Sequence, residues 1–152
     1  MSYYHIFKSL MTENYIFNLK KINMNKLIID IANEKIFLMI ITNDDIYNIT
    51  HDNTKINYEK LTRIINNFLN IRGLNIGDIS KIYINLGSGS FAGIRNSLSI
   101  VKGIHLVKNI DYFCFSFSDF SKESIKKLNN WKNLPNLCRK YKIKKNLINP
   151  LY

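Results

Sequence analysis

Apolar and polar positions change period several times along this chain, and each change marks an element. Leu27–Ile31, Ile36–Thr42 and a weaker Ile46–Ile49 read as three short strands separated by Asn, Asp, Glu and Lys. Asn33-Glu34 and Asn43-Asp44 have the length and composition of hairpin connections. From about Tyr58 to Arg72 the period lengthens. Leu61, Ile64, Ile65, Phe68 and Leu69 recur at offsets of three and four, which predicts a helix with one apolar face and Gly73 as its stop. A strand over Lys81–Asn85, a helix over Phe91–Val107 and a strand over Tyr112–Phe117 follow. Ser118 or Asp119 then caps a final helix through about Leu128. Pro135 opens a poorly patterned end. Three strands and then helix, strand, helix, strand predict an α/β protein with a mixed sheet of about five strands packed with helices. No internal repeat is visible.

Charge divides the chain in a way that periodicity does not. The net charge of +11 raises the question of nucleic acid, so its location matters. Residues 1–23 carry three basic residues and one acid, and residues 24–120 carry ten and nine. Residues 121–152 carry nine and one. The patterned region, 24–120, is therefore almost neutral. It is flanked by an extension over 1–23 without a clear period and by a basic tail over 121–152. The tail is read either as a solvated segment enriched in lysine by coding bias or as a surface that touches RNA phosphates. Its last residues, 129–152, show no sustained apolar period, so their deletion is expected to leave the fold intact.

Other classes recede. A chain of 152 residues with 46% apolar content suits one core. The longest apolar run, Ile36 to Ile41, is far short of the roughly eighteen residues that span a bilayer. No basic start with an apolar core opens the sequence, which points away from secretion and from the membrane. Cys114 and Cys138 have no paired spacing, and His5, His51 and His105 are scattered, so neither a disulfide framework nor a metal site is expected. The expected compartment is a reduced cytoplasm.

The segment with the most distinctive chemistry is Gly87-Ser88-Gly89-Ser90-Phe91-Ala92-Gly93-Ile94-Arg95, placed between a strand and a helix. Its glycines allow close approach of another group, and the first N–H groups of the helix face the same loop. Ala92 stands where a dinucleotide fingerprint needs glycine, and no Gly-Lys-Ser/Thr completes a P-loop. A tight structural turn and an anion or carboxylate site both remain open. Phe91 reads as a core anchor for the loop. Arg95 either pairs with an acid or lies along Phe91. Asp30, at the end of the first strand, is either a metal-binding acid or a cap for the turn at Asn33-Glu34. A two-metal nuclease needs a second carboxylate at a later strand end, and Asn85, Ser116 and Ser118 stand there.

From Asn57 to Ser116 these elements fall in register with a known family. Glu59 and Leu61, Gly73 and Leu74, and Asp78 and Ile79 precede Gly87, Gly89, Ser90, Phe91, Gly93 and Arg95, with Lys102 and Gly103 in the helix beyond. Upstream, Leu27-Ile28-Ile29-Asp30-Ile31-Ala32 matches an opening strand that ends in Asp-Thr-Ser or Asp-Thr-Ala. Over roughly Met24 to Phe120 the chain resembles the TsaB (YeaZ) family, bacterial proteins required to make threonylcarbamoyladenosine in tRNA. Departures include Asn57-Tyr58 for His-Ser, Ser88 for proline, Ala92 for threonine, Arg63 for proline and Ser97 for glycine. Family members also carry a second lobe beyond the strand matched by Asp111–Phe117, for which the remaining basic residues are too few.

The resemblance implies one lobe of the actin-like ATPase and ribonuclease H-like fold. It also implies a noncatalytic role with no cofactor of its own, since ATP, bicarbonate, threonine and tRNA belong to the wider pathway. In that family the two helices pack against the equivalent pair of the catalytic partner TsaD, or of a second TsaB, as a four-helix bundle. The interface candidates carried over are Leu61, Ile65, Phe68, Ile94, Leu98, Val101, Lys102 and Gly103. In the helix after the loop, Ile94, Leu98, Val101 and His105 form one stripe and Ile100, Ile104 and Val107 another, so both faces must be covered. The competing reading is a basic nucleic-acid-binding protein on a ribonuclease H-like scaffold. A remnant without retained function is a third.

Overall fold

A computed structural model describes residues 24–147. The expected extension over 1–23 and the last five residues lie outside them. Five strands form one sheet in the order β3-β2-β1-β4-β5: β1 Lys26–Asp30, β2 Lys35–Ile41, β3 Ile46–Asp52, β4 Lys81–Asn85 and β5 Asp111–Phe115. The hairpin pairs β1–β2 and β2–β3 are antiparallel. Pairs β1–β4 and β4–β5 are parallel, with Lys26 opposite Lys81 and Lys81 opposite Asp111. The parallel strands return through helices, as a parallel connection requires. Short helix α1 (Lys55–Glu59) leads into α2 (Leu61–Ile71), and α3 (Phe91–Lys108) joins β4 to β5. These elements match the expected mixed sheet within a residue or two at most ends. The largest difference is β3, which runs on to Asp52.

Alternation along the strands sends side chains to two cores. Leu27, Ile29, Leu38, Ile40, Ile82, Ile84 and Tyr112 pack beneath α2 and α3, with Leu61, Ile65, Phe68, Leu98 and Val101 from the helices. Intervening positions, Ile28, Met39, Tyr83 and Phe115, face the other side. Central strands buried on both faces read as unbroken apolar runs, which is why β1 and β4 have no visible alternation. Helix α2 stops at Gly73, whose φ of +66° is the left-handed turn that glycine takes without strain. The Gly73 N–H donates to Asn70 O and that of Leu74 to Leu69 O, the paired bonds of a Schellman end.

The second core corrects the reading of the C-terminal end as a loose tail. Residues 117–143 lie across the open face of the sheet. Ser116 caps a 3-10 turn over Phe117–Phe120, with Asp119 bonding back to the Ser116 N–H at 2.8 Å. Helix α4 (Ile125–Leu128) is one turn long, shorter than the expected cap-to-Leu128 helix. Helix α5 (Leu134–Lys140) buries Leu134, Leu137 and Cys138 against Tyr83, Phe115 and Phe120. Trp131 sits 4.8 Å from the Phe37 ring and 5.3 Å from Phe117, closing an aromatic layer. Farther on, Lys145 bridges Phe113, and the Asn146 N–H donates to Tyr112 O at 2.8 Å along the edge of β5. Charge counting missed this face because apolar positions at 134, 137, 138 and 141 fall inside a segment flanked by Lys132, Arg139, Lys140 and Lys142. Their spacing is helical, and Pro135 is a start signal at the first turn rather than a break.

Candidate functional site

The glycine loop is held by the end of β1. A side chain at Gly89 would place its Cβ 1.8 Å from the Ala32 carbonyl oxygen, so only glycine fits there. Ser90 N–H donates to that same oxygen at 3.1 Å. A Cβ on Gly93 would meet Ile31 Cγ2 at 2.9 Å, and one on Gly87 would meet Asn85 Oδ1 at 2.9 Å. The N–H of Gly87 donates to that amide oxygen at 2.7 Å. Ser90 caps α3, its hydroxyl accepting from Gly93 N–H and its carbonyl from Ile94 N–H. Four of the loop's N–H groups are thus engaged within the chain. The glycines serve close packing of the β4–α3 corner on the β1–β2 turn.

Two expectations about this corner change. Phe91 is 58% exposed, so it is not the core anchor of the loop; Gly89 and Gly93 do the anchoring by backbone contact. Arg95 lies with its guanidinium carbon 5.3 Å from the Phe91 ring centre, the arrangement along Phe91 that was one of its two readings. Asp30 is almost fully buried, and burial holds its carboxyl above the ordinary carboxylate range. Its oxygens accept from Ala32 N–H at 2.9 Å, from Asn33 Nδ2 at 3.1 Å and from the Asn85 side chain. The acid caps the turn it precedes. Among the described residues no three of His, Cys, Asp or Glu come together.

A shallow hollow of about 680 Å³ opens between this loop and the β1–β2 turn, with Asn33, Glu34, Lys35, Ser88 and Ser90 in its wall. Asn53 reaches into it from the end of β3. Its amide nitrogen donates to Ile31 O at 2.8 Å and Asn33 O at 2.7 Å, which leaves Oδ1 buried with no hydrogen-bond partner among the described residues. Nothing in the spacing of the sequence marked Asn53. Both thiols are buried, Cys114 under the helices and Cys138 in the opposite core, and burial pushes each up to about 12. Neither is a thiolate near neutral pH.

The helix pair divides the interface candidates. Leu61, Ile65, Phe68, Leu98 and Val101 are at most 5% exposed and belong to the core under the helices. Their side chains are taken up by this chain's own core, and of the five only Ile65 also lines the groove between the helices. Their apolar period marked a buried face and did not distinguish sheet from partner. Ile94 and Lys102 are half-buried. Gly103 faces open space, with no atom within 4 Å of a Cβ placed on it. The second stripe does face outward. Ile100, Gly103, Ile104 and Val107 of α3, with Asn66 of α2 and Ile76, line an apolar groove of about 380 Å³ between the helices. Beside it Leu106 and Val107 are 82% and 78% exposed. His105 turns inward instead, its Nδ1 3.0 Å from Ile110 O and its ring edge-on to Tyr112.

No family profile and no curated protein sequence matches this chain. Solved structures do. YeaZ from Pseudomonas aeruginosa superposes with a TM-score of 0.57 over 61% of this chain and 44% of its own, at 16% identity. A second P. aeruginosa protein, described as similar to peptidase YEAZ, gives the same TM-score and identity over 61% of this chain and 43% of its own. RuvC from T. thermophilus, solved with a Holliday junction substrate, matches at a TM-score of 0.45 and 10% identity, over 84% of this chain and 83% of its own. The chain spans less than half the length of the YeaZ structures it matches. No helix among the described residues is long and apolar enough to cross a membrane. The five-stranded mixed sheet with its covering helices is a TsaB (YeaZ)-like fold of the ribonuclease H-like and actin-like type.

Proposed function

We propose that this chain is a noncatalytic subunit of the machinery that makes threonylcarbamoyladenosine in tRNA. It docks a TsaD-type catalytic partner, or a second copy of itself, through the outward face of α2 and α3. The observation that carries this is the groove between those helices, flanked by Leu106 and Val107 standing in solvent on a TsaB-like fold. Contiguous exposed apolar surface on a soluble domain marks a binding site. Gly103 deepens the groove, because a helical glycine costs up to about 1 kcal/mol unless another element approaches it closely. Asp30 is engaged in its turn, which supports a role without phosphoryl transfer for this lobe. The reading places the protein in the cytoplasm with that machinery.

Co-purification of the full chain with the same organism's TsaD-type protein tests the proposal. Ile104→Glu puts a carboxylate in the groove, where burying it unpaired costs several kcal/mol and lowers affinity at least a hundredfold. The variant remains folded, because Ile104 is only half-buried in the free chain. Leu98→Glu is the contrast: its side chain lies in the core, so that variant unfolds. An Ile104→Glu protein that folds and binds the partner with unchanged affinity overturns docking through this face. Docking through apolar faces also survives moderate salt, whereas binding through phosphates falls steeply with it.

A further inference from the structure

A cavity of about 550 Å³ lies at the opposite end of the sheet from the glycine loop, between the N-terminal ends of β1 and β4 and helix α5. Four cations line it: Lys26, Lys81, Arg139 and Lys142. Lys26 and Lys81 are register partners on adjacent parallel strands, so their side chains are forced to be neighbours. Tyr83 and Phe113, stacked with ring centres 5.2 Å apart, form part of the apolar wall. Among the described residues no carboxylate lines the cavity. Three acids on neighbouring elements are already engaged, among them Asp119, which lies near Cys138 and accepts from Ser116 N–H at 2.8 Å. Asp111, across from Lys81 on β5, is bound by Lys145 Nζ at 2.9 Å and Asn146 Nδ2 at 2.6 Å, and these contacts hold its carboxyl below the ordinary range. Glu123 is bound by Lys127, Lys140 and Tyr141.

Four like charges gathered around one hollow repel one another and raise the local concentration of anions. The arrangement selects a multiply charged oxyanion over a single carboxylate, and Arg139 supplies the planar fork that bonds phosphate through two N–H groups. The aromatic and aliphatic wall adds room for an apolar or ring-shaped group, and the volume falls within the range of small-ligand sites. We propose that this cavity binds a nucleotide phosphate, either of a free nucleotide or of a nucleotide within single-stranded RNA. This site is formed by the sheet end and α5, away from the α2–α3 groove, so it stands or falls independently of the docking reading.

The full chain is titrated at physiological salt with a fluorescein-labelled single-stranded RNA oligonucleotide, read by anisotropy, with unlabelled AMP and ADP as competitors. The charge-reversal pair Lys81→Glu and Arg139→Glu is compared with Lys60→Glu, at the α1–α2 junction on the far side of the sheet. Both reversed residues are exposed, and circular dichroism confirms that the variants fold. Each reversal in the cavity is expected to weaken RNA binding at least tenfold. The slope of log affinity against log salt should become shallower by about 0.7 for each phosphate that a variant no longer neutralises. Lys60→Glu is expected to change affinity less than twofold. Competition by AMP or ADP assigns the site to free nucleotides, and lack of competition with retained RNA binding assigns it to the strand. The proposal is overturned if the wild-type chain binds none of the probes, or if Lys60→Glu weakens binding as much as the cavity variants do.

Discussion

The two faces of the sheet are built to different rules. Beneath α2 and α3 the core is mostly aliphatic, with Leu and Ile from β1, β2 and β4 meeting Leu61, Ile65, Leu98 and Val101. The opposite face is aromatic, with Phe37, Phe113, Phe115, Phe117, Phe120 and Trp131 in one layer under α5. The helix face is finished by two regular elements and still exposes an apolar groove and the side chains of Leu106 and Val107. The aromatic face is finished by short turns and helices of one or two turns, none of which is stable alone, and by ion pairs at its rim. One face is long-helical and open to a partner. The other is irregular and closed by the chain itself. Stability is thus drawn from the segment that looks least structured in sequence, and interaction surface from the segment that looks most structured.

Removing residues 129–152 breaks this comparison most severely. It strips Trp131, Leu134, Leu137 and Cys138 from Phe37, Tyr83, Phe115 and Phe120. A buried leucine truncated to alanine costs about 2–5 kcal/mol, and a whole domain has only about 5–15 kcal/mol of stability. Loss of the cooperative thermal transition is therefore expected, the reverse of what the lack of visible period in this segment predicts. A truncated protein that melts as cooperatively as the full chain would show that the aromatic face needs no cover.

Glycines sharpen the contrast at a smaller scale. Gly89→Ala forces its Cβ into the Ala32 carbonyl, a backbone contact that cannot swing aside, so the loop must shift and the β1–β2 turn with it. A loss of a few kcal/mol in chemical denaturation is expected, in line with overpacking elsewhere. Gly103→Ala meets nothing within 4 Å and sits inside a helix. Free chain stability should rise by up to about 1 kcal/mol, while partner docking weakens if the groove is where the partner sits. Equal losses for the two variants would remove the distinction between a glycine kept for its own fold and one kept open.

How much of this was legible in the sequence follows the same division. Strands and long helices were, because β1 and β4 are short unbroken apolar runs between polar segments and α2 keeps its helical period. The mixed sheet and the glycine corner came with them. The direction of each apolar stripe was not: Leu98 and Ile104 both fit a helical period, and only the position of the sheet decides that Leu98 is core. The exposure of Phe91 was hidden for a related reason, since its role depends on how closely Gly89 approaches Ala32. The C-terminal cover was obscured by composition. Lys132, Arg139, Lys140 and Lys142 surround Leu134, Leu137, Cys138 and Tyr141, and the charge drew attention from the spacing. The basic cavity was invisible because Lys26, Lys81 and Arg139 come together only when β1 pairs with β4 and α5 folds back.

The smallest effect concerns the rim of the aromatic face. Glu123 holds that rim together, accepting from Lys127 at 3.0 Å, from the Tyr141 hydroxyl at 3.0 Å and from Lys140. These three donors, Lys140 first, pull its carboxyl from an ordinary value of 4.5 down to about 2. A carboxylate whose folded value lies below its unfolded one contributes stability at all pH above the unfolded value, and loses it as pH falls through the folded one. Protons bind the unfolded chain first, so the Glu123 contribution is complete above about pH 5 and fades between 4.5 and about 2. Both lysines are about half exposed, which keeps the effect small, because solvent screens such pairs and side-chain ordering opposes them. Glu123→Gln removes the charge and keeps the shape. Melting temperature followed from pH 6 to pH 2.5 should therefore fall less steeply in Glu123→Gln than in the unaltered chain, with the two curves converging at the acid end. Increasing salt should narrow the gap at pH 6. Parallel curves across the whole range would mean that Glu123 does not tie α5 to the turn after Phe120, and that the aromatic layer alone closes this face.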